Sequence, residues 1–128
     1  MTNYIWVTAE QDFVHKYPDA PRAVSFLRNE HRHKFKFKVY IQVFKNDRDI
    51  EFIIFQRLVK GILFKMPFNL EAKSCEMLAD DLWNEIVKKY PNRRMKIEVS
   101  EDGENGALKE YLSFQTKKGR KTKIEIID

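Results

Sequence analysis

The sequence predicts an α+β domain in which helices cover one face of an antiparallel sheet. Three observations carry that expectation. In "HRHKFKFKVYIQV", residues 31–43, His31, His33, Phe35, Phe37, Val39, Ile41 and Val43 alternate with a set that includes Lys34, Lys36, Lys38 and Gln42, so the two sets lie on opposite faces of a strand. In "SCEMLADDLWNEIVKKY", Leu78, Leu82, Trp83, Ile86, Val87 and Tyr90 recur at three- and four-residue intervals, the stripe of an amphipathic helix. Strand-like segments gather before and after the helical stretch instead of alternating with helices, which argues against a parallel βαβ fold.

Taken in order, "YIWVTAEQDFVH" from Tyr4 to His15 is rich in β-branched and aromatic residues and reads as a first strand. Residues 16–30 hold two prolines and an Asp-Ala turn signal and read as a loop with room for one helical turn. The strand at 31–43 follows. After the turn "KNDRD", the run "IEFIIF" is expected to pair back as a third strand in a hairpin. Residues 56–65, "QRLVKGILFK", have helical spacing interrupted by Gly61. The second helix begins at Ser74 as N-cap, carries Glu76, Asp80 and Asp81 toward its N-terminal half and Lys88 and Lys89 at its C-terminal end, and stops at Pro91. "RMKIEVSE" is a strand with Met95, Ile97, Val99 and Glu101 on one face, "DGENG" is a turn, and "ALKEYLSFQT" and "TKIEIID" are two more strands joined through "KKGRK" as a hairpin tip. The expected order is three strands, two helices and three strands in one domain spanning 1–128.

A chain of 128 residues can bury a core without staples. Hydrophobic content of 43% beside 34% charged residues is globular composition and excludes disorder. One cysteine, Cys75, excludes an internal disulfide framework and suits a reducing compartment. No apolar run reaches the roughly 20 residues that span a bilayer, and "MTNYIWVTAE" lacks the basic and apolar regions of a secretory leader, so the expected location is cytoplasmic with no membrane partner. A net charge of +5 favours anionic partners, either phosphorylated small molecules or nucleic acid.

The chain holds three histidines. His31 and His33 are two apart on one strand and so share a face with side chains roughly 6–7 Å apart. His15 ends the first strand, and pairing of the first two strands brings it beside the His31 end. Three imidazole nitrogens and an open fourth position form the donor pattern of a catalytic zinc site.

"VHKYPDAPRAVSFLRNEHRHKFKFKV" resembles the zinc-binding region of the 6-pyruvoyltetrahydropterin synthase and 6-carboxytetrahydropterin synthase family, in which a histidine precedes an HGH motif that opens a long alternating strand. "IIFQRL", "KSCEMLADDLW" and "IEVSEDGENGALKEY" are similar to later segments of that family, in the same order across residues 13–111. The resemblance implies the T-fold (tunnelling fold), an antiparallel sheet with two helices inserted between strand pairs, assembled as a homohexamer. It implies zinc held by His15, His31 and His33, a dihydroneopterin triphosphate-like substrate, and Glu101 as the anchor of the pterin's amino-pyrimidine edge, since a carboxylate accepts two N–H donors at once.

The pattern also departs from the family. "SFLRNE" supplies no thiol before His31, no Leu-Asp-His triplet follows the first helix, Arg32 replaces the glycine between the two histidines, and Cys75 falls at a family serine, where packing is its expected role. Losing a general base and its partner removes assistance typically worth about 10²–10⁴-fold. Glu30, next to the metal pair, is the residue left to supply acid/base function. Three classes follow: a zinc-dependent pterin enzyme, a catalytically impaired T-fold protein that binds a pterin, purine or nucleotide, and a basic nucleic-acid-binding module using the lysine faces and "KKGRKTK".

Overall fold

The computed structural model describes residues 1–113 and 124–127. Among these, β1 (Asn3–His15), a short 3-10 helix (Arg22–Arg28), β2 (His31–Val43), α1 (Phe52–Lys65), α2 (Cys75–Lys89), β3 (Met95–Glu101), β4 (Asn105–Ser113) and β5 (Ile124–Ile127) follow one another along the chain. The strands form one antiparallel sheet in sequence order, β1-β2-β3-β4-β5. The α+β class holds, with two helices between a pair of strands and a run of three. The expected hairpin tip "KKGRK" and the run "KKGRKTK" lie outside the described residues.

The third strand expected at "IEFIIF" does not form. Glu51 caps a helix there, its carboxylate accepting from the backbone N–H groups of Ile53 and Ile54 at 2.9 and 3.0 Å. Phe55, Val59 and Leu63, four residues apart, then make the buried stripe of α1, while Phe52, Ile53 and Ile54 stay exposed. The apolar run is therefore a capped helix start, and the helical spacing read from Gln56 onward begins four residues earlier. Ser74 caps α2 as expected, accepting from the Met77 N–H at 3.2 Å.

Odd-numbered residues of the first three strands face the helices. Phe13, Phe35, Phe37, Val39, Ile41, Ile97 and Val99 are buried against Phe55, Val59, Leu78 and Leu82 in one core. At roughly 1.5–3 kcal/mol for each large side chain removed from water, this layer is what holds the sheet to its helices.

The opposite face is charged in a self-matching way. Lys34 and Lys36 stand opposite Asp12 and Glu10 of β1, Lys38 is opposite Glu98 of β3, and Lys96 is opposite Glu110 of β4. The Lys38 ammonium sits 4.2 Å from the centre of the Trp6 ring. The lysines that stand out in the sequence as a basic stripe thus have acidic or aromatic neighbours across the strands.

Two glycines give the packing a direct test. A Cβ on Gly106 would lie 2.1 Å from the Val99 carbonyl oxygen, so β3 and β4 close only around a hydrogen there. A Cβ on Gly61 in α1 meets nothing within 4 Å. Gly106→Ala is expected to destabilise the protein by about 1–3 kcal/mol through overpacking. Gly61→Ala is expected to stabilise it by about 0.5–1 kcal/mol through the lower entropy of the unfolded chain. Urea midpoints measured side by side check both signs.

Candidate metal centre

The β1–β2 register sets His15 directly opposite His31 and Phe13 opposite His33, and the β2–β3 register sets Phe35 opposite Glu101. All four polar side chains belong to the face that carries the core, at the end of the sheet where the run of large apolar residues stops. The imidazole centroids are 4.5 Å (His15–His31), 5.3 Å (His15–His33) and 4.9 Å (His31–His33) apart, with ring planes at 69–80°. The rings therefore surround a point instead of stacking. One ligand nitrogen from each lies within 4.8 Å of the others, a group able to hold a metal ion.

The hydrogen bonds decide which nitrogen faces that point. His15 Nδ1 is 2.9 Å from the Lys73 carbonyl, His31 Nδ1 is 2.8 Å from the Asn29 carbonyl, and His33 Nδ1 is 2.7 Å from Asp102 Oδ2. Each partner can only accept, so each Nδ1 must donate. In the neutral ring the Nε2 lone pair is then free for a metal, and a second partner holding the far nitrogen is how metal-bound histidines are oriented. His15 Nε2 and His33 Nε2 are buried and have no hydrogen-bond partner. Burial, against the raising effect of the Lys73 carbonyl and Glu101, keeps the His15 imidazole below its ordinary 6.5 and so neutral.

These anchors come from local chain geometry. Residues 68–71 run along the end of β1, with Val14 N–H donating to the Phe68 carbonyl, Leu70 N–H to Val14 and Lys16 N–H to Glu71. That path delivers the Lys73 carbonyl to His15. At the other side, β3 ends in a tight turn in which Asp102 has φ of 57° and Gly103 has φ of 75°. Asp102 Oδ1 accepts the Lys34 N–H at 2.9 Å while Asp102 N–H donates to the Lys34 carbonyl at 2.8 Å. The Lys34 N–H, then His33, hold the Asp102 carboxyl below the usual carboxylate range.

Glu101 Oε2 lies 3.1 Å from His15 Nε2 and Glu101 Oε1 3.6 Å from His33 Nε2. The expected ligand set and Glu101 are thus together. Glu30 is exposed at the rim, where its carboxylate accepts from Asn69 Nδ2 at 2.5 Å, and none of the hydrogen bonds or ion pairs among the described residues joins it to the imidazoles. Cys75 is buried at the start of α2, and burial, followed by the charges of Glu101 and Glu76, pushes its thiol up to about 12. It stays protonated at neutral pH, which argues against a resting thiolate nucleophile there.

Asp102 was not legible as a site residue. On strand parity it points away from His33, and only the left-handed turn conformation brings its carboxylate back. The signal available in the sequence was an aspartate followed by glycine directly after a strand, a pattern that announces a turn but not its partner.

No family model matches this chain, and no curated protein matches it either.

In metal-free protein, long-range ¹H–¹⁵N spectra should place the proton of all three neutral imidazoles on Nδ1. Asp102→Ala should return His33, and His33 alone, to the mixed tautomers of free histidine. The same spectra followed against pH should show His15 titrating below 6.5, because burial disfavours its charged form.

Proposed function

We propose that this chain is a divergent T-fold protein of the 6-pyruvoyl/6-carboxytetrahydropterin synthase kind, a homohexamer that holds zinc on His15, His31 and His33 and acts on a dihydroneopterin triphosphate-like pterin. The observation that carries this reading is the shared commitment of three Nδ1 atoms to acceptors, with His15 Nε2 and His33 Nε2 left buried and unpartnered. Such nitrogens are costly without a cation to receive their lone pairs. Neutral imidazole donors suit zinc. When bound there, zinc supplies Lewis-acid polarisation of a substrate oxygen.

The chain's own groups do the rest. Glu101 offers a carboxylate at the edge of the centre, able to accept the paired N–H donors of an amino-pyrimidine. Glu30 must leave Asn69 to reach a substrate proton, and the protonated Cys75 contributes packing. A second reading, binding of a pterin or nucleotide without turnover, is favoured by that same chemistry: the described residues place no thiolate beside the imidazoles, and Glu30 is turned away. A nucleic-acid-binding module stands behind both, because the lysines of the outer sheet face have acidic neighbours across the strands.

Elemental analysis of purified protein should find zinc near one per chain, with His31→Ala and His33→Ala reducing it to background, and the mass in solution should be that of a hexamer. Zinc-loaded protein should consume dihydroneopterin triphosphate, followed by chromatography. Calorimetric binding without consumption selects the second reading. A metal-free monomer overturns both.

A further inference from the structure

A second concave surface, away from the imidazoles, lies between α1 and α2. Ile54, Leu58, Ile62 and Met66 succeed one another at four-residue intervals along α1 and its C-cap, and so share one side of the helix. Leu58, Ile62 and Met66 touch the core but are only partly buried, and Ile54 is 57% exposed. With Pro67 and Leu70 from the connection that follows, Leu58, Ile62 and Met66 line a groove of about 750 Å³. Arg57 and Lys65 stand on its α1 side, and Asp81, Asn84 and Glu85 on its α2 side.

The charges of this groove are unequally answered. On the α2 side, Asp81 is paired with Lys73, and Glu85 with Lys88 at 2.9 Å. On the α1 side, the Arg57 guanidinium and the Lys65 ammonium have no ion-pair or hydrogen-bond partner among the described residues, and α1 contains no acidic residue. What is left over is positive and runs along one edge of an apolar floor. Gly61 lines the same groove, and a Cβ there would meet nothing within 4 Å, so the chain keeps this space open at a position where alanine would favour the helix. Backbone chemistry then selects the occupant. Both walls are helices whose backbone groups bond internally, so no strand edge is offered, and an extended peptide would leave its own N–H and C=O groups unpaired. A helix brings its backbone bonds with it. A flat bilayer does not fill a concave surface, and the acidic residues of α2 would face its anionic headgroups. The acidic helix of a second copy, α2, has Leu78, Leu82 and Ile86 buried in its own core and no apolar stripe to give.

We infer that the groove between α1 and α2 is a docking site for an amphipathic helix of another protein, with apolar side chains seated on Leu58, Ile62 and Leu70 and acidic ones meeting Arg57 and Lys65. Gly61 is where the partner's backbone comes closest. At about 1.5 Å per residue, the wall from Arg57 to Lys65 spans roughly 12 Å, about two turns of the partner helix. The site is independent of the metal and pterin reading, since none of the hydrogen bonds or ion pairs among the described residues joins Arg57, Gly61 or Lys65 to the imidazoles.

Fluorescence anisotropy of the full-length protein tests this with a labelled, side-chain-stapled helical peptide whose leucines recur at three- and four-residue intervals between flanking glutamates. The same peptide with lysines in place of the glutamates serves as its counterpart. The glutamate peptide is expected to bind saturably and the lysine peptide not to bind. Arg57→Glu combined with Lys65→Glu should weaken the glutamate peptide at least about tenfold and let the lysine peptide bind, because like charges now meet in the first pair and opposite charges in the second. Gly61→Gln should abolish binding by filling the open space while keeping or raising the melting temperature, since glutamine favours a helix over glycine. Lys45→Glu combined with Arg94→Glu makes the same change in net charge at exposed positions outside the groove and should leave the affinity unchanged. Circular dichroism establishes that each variant is folded. No saturable binding of the glutamate peptide, equal binding of both peptides, an equal loss in the Lys45 and Arg94 control, or wild-type affinity in Gly61→Gln would each overturn the site. Protein that sediments with phosphatidylserine–phosphatidylcholine vesicles and ignores the peptide would assign the face to a membrane surface, and overturn it as well.

Discussion

Everything at the candidate centre depends on the register between β1 and β2. The pairing runs for thirteen residues without a bulge, from Asn3 opposite Val43 to His15 opposite His31. A slip of one residue would move the whole odd-numbered set of one strand to the other face. The register is pinned because that set includes Val7, Ala9 and Phe13 on β1 and Phe35, Phe37, Val39 and Ile41 on β2, all buried under the helices. The core thus secures the geometry of the candidate centre: the same alternation that buries phenylalanines in the middle of the sheet gathers imidazoles at its end.

The helices complete the centre from the other side. α2 begins one residue after its Ser74 cap, and the segment leading into it lies along the end of β1, so the Lys73 carbonyl reaches His15. The strength of Glu51 as a cap explains why α1 starts where a third strand was expected. A carboxylate accepting two N–H donors satisfies two of the four orphan groups at a helix N-terminus and interacts favourably with the dipole. The cost is an exposed Phe52, Ile53 and Ile54 at the first turn, tolerated because Phe55, Val59 and Leu63 carry the burial.

The acid/base character of the centre follows from its surroundings. Two of the three orienting acceptors are backbone carbonyls, which substitution cannot remove, so Asp102 is the one adjustable partner of the triad. Its carboxylate, held by Lys34 and His33, makes His33 the most electron-rich of the donors. Glu101 brings a carboxylate to 3.1 Å from His15 Nε2 and 3.6 Å from His33 Nε2. Cys75, protonated beside it, has neither the charge nor the exposure of a nucleophile. Among the described residues the centre thus gathers imidazoles and carboxylates, with the neighbouring thiol protonated.

The sequence by itself determined the strands other than the one expected at "IEFIIF", the second helix, the buried face and the meeting of His15, His31 and His33, because a period of two and antiparallel pairing of neighbouring strands are local rules that need no knowledge of the rest of the chain. It also placed Glu101 inward by parity. The tertiary structure alone decided that 52–55 is helix, since a short apolar run suits a strand or a capped helix start and is too short for periodicity to choose. It alone turned Asp102 back onto His33, through a positive φ that reverses strand parity, and set Glu30 against Asn69 from a segment 39 residues away. It alone chose which nitrogen of each ring faces inward, because that choice belongs to three acceptors at Lys73, Asn29 and Asp102, and those at Lys73 and Asp102 reach the rings only when distant parts of the chain are packed together.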